Sequence, residues 1–288
     1  MRDFVITADS NCDLPPEYIK KKKIGIIPHY YDINGVTYGD EKNLSHKDFY
    51  DMMRNGFMPT TMASNPAVIR ETFQKYVDLG LDILHISFSS ALSGGHSNVV
   101  TGAKEICEEN PGVKILVLDS LNASMGEGMV VMKAVQLKEA GKGIDEIGEW
   151  IEENKLKFCV QFTVDDLFHL QRGGRISKMT AIVGSMINVK PILKINNQGA
   201  LVQAGTVRGR KKSLTTIVSN MQEQIGPIKD EDIICVVHGD APEDARFVAD
   251  LIRKRLHTDN ILINTISPSI GAHSGPGAIG ICYFGTER

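Results

Sequence analysis

The chain has 288 residues, 42% hydrophobic and 23% charged, with a formal net charge of −3, the profile of a globular protein with one large or two ordinary domains. That balance, with a pI near 6.3, argues against a general nucleic-acid binder, and no apolar run approaches the roughly 20 residues of a bilayer span. The first residues hold no signal-peptide core, and five widely spaced cysteines without a C-x-x-C motif read as reduced thiols of a cytoplasmic protein.

In chain order, β-rich apolar runs predict strands at 4–8 and 24–28. Asn34-Gly35 between 30–33 and 36–38 predicts a hairpin, since both central positions of a type I′ turn need φ > 0. Ser45-x-x-Asp48 opens a helix to about 54, in the manner of a capping box. Asn65 ahead of Pro66 opens another to about 79, a cap followed by proline at the first helical position. A strand at 82–88 runs into Ser89–Gly95, a loop of hydroxyls and glycines before a helix at 96–108. A strand follows at 114–119, then helices at 125–139 and 144–154 in direct succession. Alternating strands and helices imply a mostly parallel sheet covered on both faces.

The two successive helices break the alternation and carry the chain to a second domain. There, strands are predicted at 157–163, 190–195, 201–207, 233–238, 261–266 and 278–284, with helices at 164–171, 211–225 and 242–256. Asn196-Asn-Gln-Gly199 makes an antiparallel hairpin of 190–195 and 201–207. Hairpins mixed with strand–helix units predict a mixed sheet with helices on one face.

Nucleotide and metal signatures are missing. There is no G-x-x-x-x-G-K-[ST], and Gly126-Glu-Gly128 is followed by Val131 where a dinucleotide fingerprint needs a third glycine. No H-E-x-x-H, Cys/His ligand cluster or G-x-S-x-G elbow occurs. A strand end meeting a helix start still suits an anion, through free N–H groups and the helix dipole. The loop 89–95 has no Lys, Arg or acid, so it fits a carboxylate rather than a triphosphate.

Four further stretches stand out. In 59–66, Ser64 and Asn65 read as caps, while Thr60 and Thr61 lie too far ahead of the helix for that role. Ser93 is equally readable as a helix cap. His273 sits among the glycines of 271–280, read as a loop before a strand and as a functional candidate. Gly173 and Gly174 read as a helix C-cap, with Arg175 and Ser177 facing an inter-domain cleft. The basic run 208–212 reads as a solvated loop and helix start.

Taken together, Ala8-Asp9-Ser10, Pro59-Thr-Thr61-Met-Ala-Ser64, Ser89-Ser-Ala-Leu-Ser93-Gly94, Val117-Leu-Asp119-Ser120, Leu170-Gln-Arg-Gly-Gly-Arg175-Ile-Ser177, Lys190-Pro-Ile-Leu193 and His273-Ser-Gly-Pro-Gly277 resemble the DegV family. Each motif is weak alone; the ordered set, spanning nearly the whole chain, is specific. The resemblance implies an α/β protein of two domains: an N-terminal three-layer α/β/α domain with a mostly parallel sheet, 1–155, and a C-terminal two-layer α/β domain with a mixed sheet, 156–288. It implies a long-chain fatty acid, such as palmitate, between and within them, and no other cofactor or metal. Thr61 and Ser93 match the family's carboxylate ligands, His273 a histidine near the head group, and Arg208 a basic residue used in acyl-phosphate formation. Some members are the lipid-carrying subunit of a bacterial fatty-acid kinase, whose separate kinase phosphorylates the bound acid. By that likeness the chain is a carrier in lipid transport or fatty acid metabolism, not an enzyme, and a kinase is its protein partner. Ser64-Asn65-Pro66 departs from the family, where many relatives show Gln before the proline.

The physics is consistent with such a ligand. Burying about fifteen methylenes at roughly 0.8 kcal/mol each offers on the order of 12 kcal/mol, reduced by ordering and association costs. A carboxylate in a dry pocket needs hydrogen bonds, and two hydroxyls with a helix N-terminus form a neutral donor set that leaves its oxygens nucleophilic. Tunnel-lining candidates are the Met-rich helical stretches 125–132 and 179–187. The competing readings are a serine hydrolase or esterase using Ser93 and His273, and a small-carbonyl binder with His273 forming a covalent adduct. Composition and charge suit a monomer.

Overall fold

The structure, a computed structural model, describes residues 2–39, 42–165, 167–177, 188–228 and 232–288. Its first half runs β1 (Phe4–Asp9), α1 (Pro16–Lys22), β2 (Gly25–Ile27), β3 (Tyr30–Ile33), β4 (Val36–Tyr38), α2 (His46–Arg54), β5 (Thr60–Met62), α3 (Pro66–Asp78), β6 (Asp82–Ser87), α4 (Gly95–Glu109), β7 (Ile115–Asp119), α5 (Met125–Glu139) and α6 (Ile144–Asn154). The second half runs β8 (Phe158–Thr163), α7 (Phe168–Arg172), β9 (Val189–Ile195), β10 (Leu201–Arg208), α8 (Arg210–Gln224), β11 (Ile234–His238), α9 (Pro242–Leu256), β12 (Ile261–Thr265), α10 (Pro268–Ser274) and β13 (Ile279–Phe284).

Local chemistry sets many of these boundaries. Asn34 and Gly35 both take positive φ, 57° and 74°, and close the β3–β4 hairpin. Ser45 Oγ accepts the Asp48 N–H at 3.1 Å, and Asn65 Oδ1 accepts the Ala67 N–H at 2.9 Å. Each side chain satisfies a backbone donor that the first turn would otherwise leave unpaired.

The strands form three sheets. A parallel sheet has the order β2-β1-β6-β7, a mixed sheet the order β10-β9-β8-β13-β11-β12, and a small antiparallel sheet the order β4-β3-β5. Only β11 and β12 run parallel in the mixed sheet. Alternation along the strands sorts the core. Val5 and Ile83 pack with Ile69 and Phe73 of α3 and Val99 of α4, whereas Phe4, Ile6, Leu84 and Ile86 face the opposite way, toward α5. In the mixed sheet, Ile279, Ile281 and Tyr283 pack under α8 and α9, while Cys282, Val237 and Val160 face α5.

Helix α5 therefore lies between two sheets, touching β1 and β6 on one side and β8 and β13 on the other. Its residues 125–131 are all buried, as expected where a helix has no solvent face, while Gln136 and Glu139 near its end are exposed. Gly126 permits the closest approach. A Cβ there would lie 2.7 Å from Val160 Cγ2 and 2.5 Å from Asn122 Oδ1. The glycine pair that resembled half a dinucleotide fingerprint thus includes a packing device.

Two local expectations are corrected, and one helix is added. Thr60–Met62 is not a free loop but an edge strand, with Thr61 opposite Tyr31; three residues are too few to show alternation. His273 lies in a helix, α10, rather than a loop. Ser267 ahead of Pro268 signals its start as Asn65 does for α3, but the surrounding glycines hide it. Helix α1, for which the sequence offered no expectation, starts at Pro16 in its first turn, where the missing N–H costs nothing.

Candidate ligand-binding cavity

A cavity of about 210 Å³ lies where the C-terminal ends of the parallel strands meet the inner face of the mixed sheet. Its apolar wall includes Val160 and Phe162 of β8, Ile195 of β9, Leu201 of β10, Val237 of β11 and Cys282 of β13. Its polar lining includes Thr61, Ser93, His273, Asn11, His29 and Arg175. The parallel strands deliver Asn11 and Ser93 just beyond β1 and β6, the usual ligand position of an open α/β sheet.

Thr61 and His273 come from distant segments held together by one cluster. Tyr31, Phe49, Tyr50 and Met53 pack around Ala272 of α10, and Tyr50 Oη donates to Ile266 O at 3.1 Å. Thr61 Oγ1 lies 2.7 Å from His273 Nε2. Burial, assisted by Arg175, Arg172 and His169, pushes the His273 imidazole down to about 4, so the ring is neutral at pH 7. Its Nδ1 has no hydrogen-bond partner among the described residues and packs against Gly173. A Cβ at residue 173 would lie 2.1 Å from that nitrogen. Placing the single ring proton on Nε2 avoids a stranded N–H and lets it donate to Thr61 Oγ1. The threonine O–H is then free for a ligand.

Ser93 precedes the cap residue of α4, Gly94. Its Oγ accepts the Gly95 N–H at 3.1 Å, so it does act in capping, yet its own O–H remains available to the cavity. Arg175 lines the same cavity and is braced by Leu92 O, to which Nε donates at 3.0 Å, and by Gly173 O. Arg172 donates to Pro59 O at 2.6 Å and Ala272 O at 3.3 Å, joining α7 to the Thr61 strand and to α10. The polar end is therefore not a purely neutral donor set, because a guanidinium shares it. The glycines of α7 also divide their roles. Gly174 takes φ +73°, whereas Gly173 has φ −73° and is needed for space.

Other candidates lie elsewhere. Arg208 ends β10, is exposed, and is not part of the cavity lining. Arg210, from the same basic run, is not solvated as expected. Its Nε donates to Asp244 Oδ2 at 2.8 Å and its Nη2 to Gly277 O at 2.5 Å. Met125 is fully buried core, and Met129 and Met132 line a separate groove with Trp150 and Phe158. The stretch 178–187, which holds the other Met-rich candidate, lies outside the described residues. The apolar wall of the described cavity comes from the alternating inner face of the mixed sheet. That signal was present in the strand periodicity, but its meaning depended on how two sheets pack.

Sequence reasoning did not single out His29 or Arg175's bracing role. His29 Nε2 lies 3.4 Å from Asp9 Oδ1, at the end of β1. No hydrogen bond joins Ser93 to His273 among the described residues, and His273 is engaged by Thr61 instead. This gives the hydrolase arrangement no nucleophile–base contact. No helix among the described residues is long and apolar enough to cross a membrane, and no group of three or more His, Cys, Asp or Glu residues there is placed to hold a metal ion.

These features define a class: an α/β protein of one parallel and one mixed sheet, with an apolar cavity between them closed by hydroxyl, imidazole and guanidinium groups. The chain belongs to the DegV family, whose sequence profile, described as an uncharacterised protein of that family, matches residues 3–286. It is 39% identical over 291 aligned positions to a DegV domain-containing protein of Clostridium perfringens, covering 100% of this chain and 99% of that one. Among solved structures, it is similar to a DegV family protein from Thermus thermophilus described for fatty acid binding. That match has a TM-score of 0.87 at 25% identity, over 99% of this chain and 100% of that one. DegV of Bacillus subtilis, described as a fatty acid binding protein, matches with a TM-score of 0.85 at 27% identity, over 99% and 100% of the two chains.

Proposed function

We propose that this protein binds a long-chain fatty acid, such as palmitate, with its carboxylate at Thr61, Ser93 and His273 and its tail along the inner face of the mixed sheet. The observation that carries this reading is the meeting of those three side chains at one cavity whose remaining wall is largely apolar. A carboxylate needs donors to leave water. The Thr61 and Ser93 O–H groups each supply one, and Arg175 brings positive charge. The tail gains from leaving water along Val160, Phe162, Val237 and Cys282.

The chain further acts as a carrier rather than an enzyme, presenting the acid to a partner kinase for acyl-phosphate formation. This part rests on the family resemblance. The exposure of Arg208 at the end of β10 supports a role toward such a partner rather than toward the resting head group. A cytoplasmic, monomeric carrier built from an N-terminal unit, 1–155, and a C-terminal unit, 156–288, fits this role.

Isothermal titration with palmitate tests the binding reading. Thr61→Val and Ser93→Ala should each weaken binding by about 1–3 kcal/mol, because each strands part of the head group. Unchanged affinity in both variants would overturn the assigned site. Arg208→Ala should leave palmitate affinity unchanged and slow phosphorylation of the bound acid by a cognate kinase. Loss of binding would make Arg208 a ligand or structural residue instead.

A further inference from the structure

Not every polar group in the cavity wall is spent on the head group. One face of α10 lines the cavity through Ser269, Ile270, His273 and Ser274, with the i, i+4 spacing of side chains stacked on one side of a helix. A wall that met only methylenes would be apolar there, yet this face carries two serines besides His273. The first half of the chain adds Asn11, from the turn after β1, and Ser124, just ahead of α5. Two of these groups already have partners. Ser124 Oγ donates to Asp13 Oδ2, and Ser269 Oγ lies 3.5 Å from Ser267 Oγ. Asn11 and Ser274 differ. Asn11 is 3% exposed and Ser274 8%, and Asn11 Oδ1 and Ser274 Oγ have no hydrogen-bond partner among the described residues. Asn11 Nδ2 lies 3.4 Å from His29 Nδ1, so only one end of the amide is engaged. Buried polar atoms left unpaired cost free energy, and native proteins hold few of them.

Both groups lie close to the head-group residues. Ser274 follows His273 in the chain. Asn11 adjoins Ser93 through His29: the point where a Cβ on Gly95 would sit is 3.3 Å from Ser93 Oγ and 3.4 Å from His29 Cε1. A ligand group that pairs with them therefore sits within a few carbons of the carboxylate, not near the end of the tail. The chemistry narrows that group. Asn11 offers an acceptor, Oδ1, and turning the amide over would offer N–H donors instead; Ser274 both donates and accepts. A hydroxyl also does both, so it pairs with Asn11 in either amide orientation. A ketone oxygen only accepts and would leave Oδ1 stranded, and a methylene pairs with nothing.

We propose that the cavity favours a long-chain acid carrying a hydroxyl on its second or third carbon, with the carboxylate at Thr61, Ser93 and His273 and the hydroxyl received by Asn11 and Ser274. Such an acid pairs the two groups that palmitate strands. A site that hydrogen-bonds a substrate hydroxyl discriminates strongly against the analogue lacking it. Asn11 and Ser274 occupy fixed places on the wall, so one enantiomer of the hydroxy acid is preferred.

The hydroxyl subsite rests on the fatty-acid reading, and the test keeps the two apart. Titration calorimetry compares palmitate with the separate enantiomers of 2-hydroxypalmitate and 3-hydroxypalmitate. One of these hydroxy acids should bind the wild type at least about tenfold more tightly than palmitate, and more tightly than its own mirror image. Folded Asn11→Leu should lose that advantage, its affinity ratio of preferred hydroxy acid to palmitate falling to about one or below. Ser274→Ala should lower the same ratio, and it decides the matter if Asn11→Leu does not fold. Palmitate bound as tightly as every hydroxy acid would overturn the proposal, because water would then satisfy Asn11 and Ser274. So would equal weakening of palmitate and the preferred hydroxy acid by Asn11→Leu, since Asn11 would then be a carboxylate ligand. A preference unchanged in the folded variants would overturn it as well. No binding of any of these acids by the folded wild type would overturn the fatty-acid reading, and the hydroxyl subsite with it.

Discussion

His273 shows how much of this site depends on a side chain that must be absent. The imidazole can hold Thr61 only because residue 173 is glycine, and a methyl group there would lie 2.1 Å from Nδ1. Gly173→Ala should displace the ring, weaken palmitate binding at least about tenfold, and cost about 1–3 kcal/mol through overpacking. Gly174→Ala is the control. It meets nothing within 4 Å but must take φ +73°, so it should lower the melting temperature and leave affinity unchanged. Titration calorimetry and thermal melts on both variants check the pair. The same imidazole also gives a pH signature. Its pKa in the fold, about 4, is below the ordinary 6.5, so the unfolded chain binds more protons between those values. Its contribution to stability therefore rises with pH from about 4 to 6.5 and is lost as pH falls. His85 acts in the same direction, while Asp13, raised to about 6 by burial, acts oppositely. The diagnostic is thus the difference between wild type and His273→Asn in denaturant melts. Their stability gap should narrow as pH falls from 6.5 to 4, and a constant gap would contradict a neutral His273. Among single residues, the candidates stood out in the sequence only through the ordered family motifs. His273 among glycines was conspicuous, but nothing local revealed that Gly173 faces it from 100 residues away, or that His29 has Asp9 behind it.

Among the elements, the long segments were the most legible. Strand and helix alternation, the Asn65-Pro66 cap and the Asn34-Gly35 turn act over a few residues, so they read directly from the chain. The short elements that hold the site did not. β5 has three residues and α10 seven, and both exist because Tyr31, Phe49 and Tyr50 give them something to pack on. The apolar side of the cavity was hidden for a related reason. Met spacing on α5 is a core pattern, since the helix is enclosed by two sheets, and the cavity uses the mixed sheet's alternate residues instead. Leu201 on β10 is half-buried and borders the cavity. Leu201→Trp should fill part of the space, weakening palmitate at least about tenfold while an eight-carbon acid is less affected. Equal losses for both acids in competition assays would place the tail elsewhere. Gly126→Ala should cost about 1–3 kcal/mol by forcing α5 away from Val160, read as a lower denaturation midpoint.

For the whole molecule, the cavity joins structure to stability. It is bounded by the mixed sheet and by the segments just beyond β1 and β6, so a ligand inside contacts residues from the first and second halves of the chain at once. A ligand bound only by the folded form stabilises it by about 2.7 kcal/mol when present at a hundred times its Kd. The two-sheet architecture was legible in outline, because composition and alternation define layers. The enclosed space between them was not, because it depends on how α5 spaces the sheets. The most direct measurement is native mass spectrometry of the protein as purified from a bacterial host, followed by organic extraction of whatever it carries. The expected result is an added mass matching a single acid of about 14 to 18 carbons, released on extraction and much reduced in Thr61→Val. A folded protein that carries no lipid, and takes up none when offered palmitate, would contradict it.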